Sequence, residues 1–126
     1  MVLFLKFSSS SCLFNPLNLI SGFQDSSNIY SKARFSLGRP LLEMIKERIR
    51  KESEACDRLQ GFIITHSIGG GTGPGLNSLL LEELDNHYED KTKINFSVLP
   101  FTKISPVIIE PYNAIFGLES IKELSD

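Results

Sequence analysis

The stretch His66–Gly75 reads HSIGGGTGPG and holds five of the nine glycines in the 126-residue chain. It follows a short apolar run, Gly61–Thr65, and precedes a leucine-rich segment that begins at Leu76. A glycine-rich turn between a strand and a helix is the layout of a phosphate-binding loop, because backbone without Cβ atoms can approach an anion closely and adopt positive φ. Successive N–H groups and the start of the helix would face the anion. The stretch therefore predicts an anion site.

The residue pattern of this loop matches neither of the two most widespread phosphate-binding motifs. The Walker A motif ends in Gly-Lys-Ser/Thr, and no lysine follows the glycines here. The dinucleotide pattern GxGxxG fails from Gly69, where its last position is Pro74, and from Gly71, where that position is Leu76. What remains is a loop that relies on backbone amides and the Thr72 hydroxyl. The open alternative is a flexible linker or a hairpin tip.

Composition and charge narrow the class of protein. The length fits a single domain, and 41% hydrophobic residues are enough for a packed core. The net charge of −2 gives no basic footprint for nucleic acid, and no apolar run reaches the length of a membrane span. The two cysteines, Cys12 and Cys56, have no metal-ligand spacing. A reducing cytoplasm is the favoured interpretation, and a disulfide between them is the open alternative.

Hydrophobic periodicity predicts alternating helices and strands. A helix is predicted from about Leu37 to Glu54, with Ser36 as its N-cap and Pro40 in its first turn. The run Gly61–His66 lacks alternation and contains β-branched residues, which indicates a strand buried on both faces, as in a parallel sheet. The loop and a second helix would follow this strand.

The second half of the chain continues the alternation. Pro74 sits where a helix begins, and the apolar face of that helix is formed by Leu76, Leu79, Leu80, Leu84 and Tyr88. The segment Ile94–Leu99 alternates apolar and polar residues and predicts a second strand. Pro111 marks the first position of a third helix, which carries Ile115, Phe116 and Leu124. This order indicates an α/β sheet with parallel strands and crossover helices.

Two loops are predicted at one edge of that sheet. Ligands of parallel sheets bind beyond the carboxyl ends of the strands, which places Gly69–Gly75 beside the Lys103–Glu110 loop. A Glu110 carboxylate near a phosphate site suits a ribose hydroxyl; the alternative is a helix-start acid that satisfies the dipole, and both can be true. Upstream, the turn Asp25–Asn28 can present hydroxyls and N–H groups to a ligand, although composition alone favours a solvated turn.

Four segments resemble the tubulin family. Gly69–Gly75 resembles the signature GGGTGSG, whereas Phe96–Pro100 and Glu110–Asn113 resemble the segments FSVxP and VEPYN. Upstream, Leu13–Asp25 resembles the stretch before the family's third nucleotide loop. The resemblance keeps order and spacing from Leu13 to Asp126 and leans towards alpha chains.

The resemblance implies a Rossmann-like, tubulin-type nucleotide-binding domain that is incomplete here. It divides the chain into an unstructured N-terminal tail, residues 1–12, and a partial tubulin GTPase domain, residues 13–126. Two residues depart from the family pattern. Pro74 replaces the usual serine and removes one N–H, and Pro106 stands where a threonine or aspartate beside the sugar is usual.

Matched by position, the resemblance implies seven nucleotide-binding residues. They are Asn28 near the terminal phosphate, then Ser67, Gly70, Gly71, Thr72 and Gly73 at the phosphates, and Glu110 at the ribose. The resemblance assigns no catalytic residue and no metal ligand within this chain. The cofactor would be GTP; Mg²⁺ is expected for the full-length family, with its ligand outside this chain.

The resemblance implies a GTP-binding structural constituent of microtubules, located in the cytoplasm and its cytoskeleton. The implied partners are other tubulin subunits. The resemblance implies no binding to nucleic acid or to a membrane. The acid on which family hydrolysis relies comes from a later segment, so enzymatic activity of this chain stays undecided. Two alternatives remain open: a truncated remnant that does not bind nucleotide, and a fragment of a dinucleotide-dependent oxidoreductase with a variant glycine loop.

Overall fold

A computed structural model describes residues 16–100 and 107–125 of the chain. These ranges contain three α-helices and two strands in the order α1 (Gly38–Glu54), β1 (Gly61–Ser67), α2 (Thr72–His87), β2 (Thr92–Val98) and α3 (Glu110–Leu124). A 3-10 turn at Pro16–Asn18 and a π-helical segment at Lys32–Leu37 precede α1. The observed order confirms the predicted α/β class.

The start of α1 differs from the prediction. Ser36 is not its N-cap, because the chain is already helical from Tyr30 and runs through the π-helical segment into α1. Pro40 lies in the first turn of α1, as predicted. The wide π turn ends just before this proline, whose missing N–H and bulky ring disfavour a regular α-helix upstream.

The main apolar contacts lie between α1, α2 and one face of the sheet. We call the buried cluster at their centre the helix core; its members are Ile45, Ile49, Leu76, Leu80 and Leu84. The partly buried rings of Phe62 and Tyr88 pack against it and meet edge to face, with centroids 5.1 Å apart. Full burial of such a side chain stabilises a fold by about 1.5–3 kcal/mol, so the helix core is a major source of stability.

The two strands pair in parallel, with Gly61 opposite Thr92 at one end and Ser67 opposite Val98 at the other. Their carboxyl ends therefore lie at the same edge, and α2 connects them. The prediction that β1 is buried on both faces is wrong, since Ile63 is 71% exposed. Within the described ranges, helices cover one face of this two-stranded sheet and leave the other open.

The open face of the sheet is apolar. We call it the outer sheet face, and its exposed apolar members are Ile63, Ile94, Phe96 and Val98. The predicted alternation of β2 is confirmed, but its polar residues point inwards. Lys93 is buried, and its Nζ lies 2.8 Å from Oδ1 of Asp85 on α2. This ion pair makes burial of the lysine tolerable.

The third helix packs against α2 through small and polar residues. Pro111 is the second helical position and not the first, because α3 begins at Glu110. The residues that face inwards are Asn113, Ala114 and Gly117, and a Cβ on Gly117 would lie 2.6 Å from Cβ of Pro74. Ile115 and Phe116, which were predicted on this helix, are exposed there. The close approach of α3 brings its first turn to the glycine loop.

Candidate functional site

The loop between β1 and α2 is built by close packing and not by left-handed backbone. None of the nine glycines, all within the described ranges, has positive φ, so that part of the prediction is wrong. Left-handed backbone occurs instead at Ser27 and Asn28, each with φ of 55°. A Cβ on Gly71 would lie 2.5 Å from the Ile29 nitrogen and 2.7 Å from the Asn28 carbonyl carbon. Glycine is required at 71 because the upstream turn packs on it.

Gly73 and Gly70 of the loop have opposite surroundings. A Cβ on Gly73 would overlap the carbonyl oxygen of Ser67, the last residue of β1. Apart from its chain neighbours, the one described heavy atom within 4 Å of a Cβ on Gly70 is Asn28 Oδ1, at 3.9 Å. Among the described residues, open space therefore faces Gly70 and is bordered by the Asn28 side chain.

The first turn of α2 supplies amides that the helix does not use. The Gly75 N–H donates to the Gly71 carbonyl at 3.0 Å, which is the first bond of the helix. The preceding N–H groups of Gly71, Thr72 and Gly73 have no partner within the helix. The buried Pro74 carries no N–H and so removes the fourth donor. Three donors and the helix dipole make this end of α2 suited to an anion.

The upstream turn, Asp25–Asn28, closes one side of this space. Ser26 is buried, and its Oγ lies 2.9 Å from Thr72 Oγ1, where either hydroxyl can donate. The Nζ of Lys32 donates to the first carbonyl of the turn at 2.8 Å and lies 3.4 Å from Ser27 Oγ. Ser26 packs inwards, whereas Asp25, Ser27 and Asn28 are exposed, as expected for the solvated turn that composition favoured. Sequence reasoning also missed Lys32, which places a cation beside the turn.

Glu110 closes the opposite side. A Cβ on Gly69 would lie 3.0 Å from Glu110 Oε1, so the carboxylate adjoins the glycine loop. An ionised carboxylate only accepts hydrogen bonds, which suits a sugar hydroxyl and disfavours a phosphate. The predicted meeting of the two loops is confirmed at Glu110. The rest of that loop, including Pro106, lies outside the described residues, as does the predicted tail 1–12.

Asn113 joins three segments at the centre of the site, and sequence reasoning did not assign it a role. Its side chain is buried, and Oδ1 accepts the Tyr30 N–H at 3.2 Å. Its Nδ2 donates to the carbonyls of Asn28 at 2.6 Å and Gly69 at 3.2 Å. The signal that could have found it is spacing, since residues three apart on a helix share a face and Asn113 follows Glu110 by three.

The seven residues predicted to bind nucleotide meet at one edge of the sheet. We call this arrangement the phosphate cradle: the upstream turn, the loop and first turn of α2 from Ser67 to Gly73, and Glu110 on α3. Its structure is consistent with the predicted contacts of Asn28, Ser67, Gly70, Gly71, Thr72, Gly73 and Glu110. Their roles towards a ligand remain predictions.

His66 lies beside the cradle, where β1 meets β2 and α2. Its Nδ1 is 3.2 Å from the Ser67 carbonyl, which can only accept, so Nδ1 carries the hydrogen. Its Nε2 then accepts from the Ser97 hydroxyl at 2.9 Å. Burial lowers the pKa of His66 below its ordinary value, against a smaller opposing effect of the Ser67 hydrogen bond. This lowering of the pKa favours the neutral form of His66, which adds no positive charge to the cradle.

The described parts of the chain show no metal-binding cluster, no disulfide and no membrane-spanning helix. Among these residues, no group of three or more His, Cys, Asp or Glu side chains is placed to hold a metal ion. Cys56 is an exposed free thiol, and Cys12, with which the open alternative would pair it, lies outside the described residues. No helix in residues 16–100 or 107–125 has both the length and the apolarity needed to cross a bilayer.

Comparison with known proteins identifies the family. The sequence model described as "Tubulin/FtsZ family, GTPase domain" matches residues 4–126. The chain belongs to the Tubulin/FtsZ family. The tubulin-type fold implied by the motifs is thereby confirmed. Membership also argues against the oxidoreductase alternative, in agreement with the failed GxGxxG spacing.

The relatives are alpha tubulin chains. The chain is 48% identical to "Tubulin alpha chain" of Eremothecium gossypii, 45% to "Tubulin alpha-4 chain" of Drosophila melanogaster and 48% to "Tubulin alpha chain-like 3" of Mus musculus. Each match extends over 114 residues and covers 90% of this chain, but only 25%, 25% and 26% of the relatives. The chain thus spans about a quarter of the length of these relatives. The alpha-leaning resemblance is confirmed.

Proposed function

We propose that this chain binds GTP in the phosphate cradle and serves as part of a tubulin subunit in microtubules. The observation that carries the proposal is the convergence of the upstream turn, the glycine loop and Glu110 around three unused amides. Membership in a family whose matched domain is a GTPase domain supports guanine nucleotide as the ligand.

The two sides of the cradle suit different parts of one nucleotide. The amides of residues 71–73 and the dipole of α2 favour phosphate, because both present positive partial charge. The Asn28 side chain on the upstream turn and the Lys32 ammonium, which donates to the Asp25 carbonyl of that turn, suit the outermost phosphate. Glu110 lies on the other side of the glycine loop and accepts from hydroxyl donors. This order of charges would orient the ribose towards α3 and the phosphates towards the upstream turn.

Open space at Gly70 supports the fit of a phosphate. A Cβ there would project beside Asn28 Oδ1 without meeting other described side chains or backbone within 4 Å. A methyl group would therefore fill part of the cradle and leave the fold intact. The backbone can approach a phosphate only while this position is glycine.

The described residues do not fit a magnesium site of their own, since no group of three or more His, Cys, Asp or Glu is placed to hold an ion within them. We therefore assign no residue of this chain to Mg²⁺ and derive no hydrolytic step. If the whole protein uses Mg²⁺ with GTP, as its family implies, the ligands would come from the nucleotide, from water and from residues beyond those described.

We infer that the partners are other tubulin subunits and that the location is the microtubule cytoskeleton of the cytoplasm. Similarity to alpha tubulin chains supports this inference. The apolar outer sheet face and the exposed side chains of Ile115 and Phe116 are compatible with further protein being packed on this domain.

Displacement of a fluorescent GTP analogue tests the proposed ligand. Unlabelled GTP should displace it, whereas ATP and NAD should compete at least about tenfold more weakly. Gly70→Ala should keep the melting temperature of the wild type and lose GTP affinity, because its methyl group occupies phosphate space. Gly71→Ala is the matched control for loop distortion and should lower the melting temperature, because its methyl group meets backbone atoms.

Two results would contradict the proposal. Unchanged GTP affinity in Gly70→Ala would show that the cradle does not hold the phosphates. A folded wild-type chain that fails to bind the GTP analogue would favour the remnant alternative.

A further inference from the structure

We propose that Asn113 is a positioning residue that locks the upstream turn against the glycine loop and thereby favours GTP over GDP. The positioning role for nucleotide rests on the proposed function. Asn113 belongs to α3, yet two of its hydrogen bonds reach the other two segments of the cradle, at Asn28 and Gly69. Its third hydrogen bond reaches the Tyr30 N–H, at the start of the helix that follows the upstream turn. Asn113 is the place where the cradle is joined.

The orientation of the Asn113 amide follows from its partners. The Tyr30 N–H can only donate, so the atom facing it is the acceptor Oδ1. The carbonyls of Asn28 and Gly69 can only accept, so the atom facing them is the donor Nδ2. Both hydrogens of Nδ2 are therefore available to bridge the turn and the glycine loop. A carboxylate or an aliphatic side chain cannot form this bridge.

The residue on the other side of the bridge is held in unfavourable backbone. Ser27 and Asn28 both have φ of 55°, in the left-handed region that non-glycine residues adopt uncommonly and that asparagine tolerates better than serine. The bond from Nδ2 to the Asn28 carbonyl, at 2.6 Å, holds this residue with its carbonyl turned towards α3. Its side chain then lies beside the open space at Gly70. Loss of Asn113 frees the turn to relax away from that space.

The upstream turn would distinguish a nucleoside triphosphate from a diphosphate. The amides of α2 lie on a regular helix and keep their places without Asn113. The upstream turn depends on Asn113, on the hydroxyl pair of Ser26 and Thr72, and on its packing against Gly71. A fixed turn should raise the affinity for a nucleotide whose outermost phosphate lies beside Asn28. It should raise the affinity less for a nucleotide that lacks this phosphate. Asn113 would therefore act on GTP more than on GDP.

The first experiment measures the turn without nucleotide. Amide hydrogen exchange is followed in the wild type, Asn113→Ala and the control Leu84→Ala, which destabilises the helix core away from the cradle. In Asn113→Ala, the Tyr30 amide and its neighbours should exchange about two- to tenfold faster, because one net hydrogen bond is worth up to about a factor of ten. Leu84→Ala should raise exchange most around the helix core. Unchanged exchange at Tyr30 in Asn113→Ala would overturn the positioning role.

The second experiment measures selectivity by titrating GTP and GDP against the same variants and Asn113→Asp. Asn113→Ala should lower the ratio of GTP to GDP affinity by about three- to tenfold, as expected for one or two lost hydrogen bonds. Asn113→Asp should lower it at least as far, because a carboxylate of the same size faces two carbonyl oxygens. Leu84→Ala should leave the ratio unchanged.

The outcomes separate the two levels of inference. Equal losses of GTP and GDP affinity, or a wild-type ratio in the isosteric Asn113→Asp, would overturn the selectivity role and indicate mere space filling. A wild type that binds neither nucleotide overturns the proposed function, and exchange at Tyr30 then still decides whether Asn113 holds the turn.

Discussion

The helix core and the phosphate cradle share α2 but are held by different forces. The core takes Leu76, Leu80 and Leu84 from the later turns of α2 and packs them on α1, with each side chain at most 5% exposed. The cradle takes the first turn, where glycines, hydroxyls and unused amides meet two other segments. Apolar burial is non-directional, whereas the cradle depends on directed hydrogen bonds and close backbone contact.

The difference implies that stability and ligand geometry are separable in this domain. A lesion in the core removes many weak contacts and lowers the free energy of unfolding without moving a particular polar atom. A lesion in the cradle removes one or two bonds and shifts a turn. The following predictions test this separation, beginning with the largest effect.

Truncation in the helix core should give the largest loss of stability. Leu80→Ala, at a side chain only 2% exposed, should lower the free energy of unfolding by about 2–5 kcal/mol through lost burial and an unfilled cavity. Leu118→Ala, at a 44% exposed position on α3, is the matched control and should cost less than about 1 kcal/mol. Urea unfolding measures both. Similar losses in the two variants would contradict the assignment of the core.

Loss of the hydroxyl pair should have a smaller effect on stability. Ser26→Ala removes the partner of the Thr72 hydroxyl and should lower the free energy of unfolding by about 0.5–1.5 kcal/mol. Nucleotide affinity should fall with it, unlike in Leu80→Ala. Ser31→Ala, at an exposed position in the following helix, is the control and should leave affinity unchanged. Wild-type nucleotide affinity in Ser26→Ala would show that the hydroxyl pair of Ser26 and Thr72 does not contribute to nucleotide binding.

Acidification should lower the free energy of unfolding through protonation of His66, which lies beside the cradle. Because burial lowers the pKa of His66 in the folded chain, the unfolded chain takes up its proton first as the pH falls. The contribution to stability is complete above the ordinary histidine pKa of about 6.5 and declines as the pH falls towards the lowered value. Urea unfolding is measured from about pH 7.5 to about pH 5, the window in which histidine ordinarily titrates. The free energy of unfolding should decline less steeply with falling pH in His66→Asn than in the wild type. Parallel profiles would exclude His66 as the source.

The outer sheet face should give the smallest change in stability. Phe96→Thr keeps a strand-favouring residue at a 59% exposed position and should alter the free energy of unfolding by less than about 0.5 kcal/mol. It should also reduce self-association in sedimentation, because an apolar patch promotes contact between copies, and so do strand edges that pair with no further strand among the described residues. Phe62→Thr, at the ring that packs on Tyr88, is the control and should destabilise more. A large loss in Phe96→Thr would show that this face is covered.

Much of the fold could be predicted because it follows from local patterns. The leucine spacing after the glycine loop placed α2, and Pro40 and Pro74 marked first turns correctly. The N-cap at Ser36 failed because helical backbone continues upstream through a π turn, which hydrophobic spacing does not reveal. Burial of β1 on both faces failed because the number of layers on a sheet is a property of the whole assembly of elements.

The candidate site was predictable in its parts but not in its construction. The glycine run and the acid at the start of α3 indicated which residues would approach a nucleotide. The sequence suggested left-handed glycines, whereas the left-handed residues are Ser27 and Asn28 and the glycines are required by contact. Contact between segments distant along the chain cannot be inferred from one of them alone.

By itself, the sequence determined the order of elements, the kind of loop and the family, because periodicity, glycine spacing and short motifs are encoded within neighbouring residues. Only the tertiary structure decided how α3 reaches back to bridge Asn28 and Gly69 through Asn113. It also decided which glycine is packed and which faces open space. The physical reason is that hydrogen bonds and backbone contacts between distant segments form only when the helix core has brought those segments together.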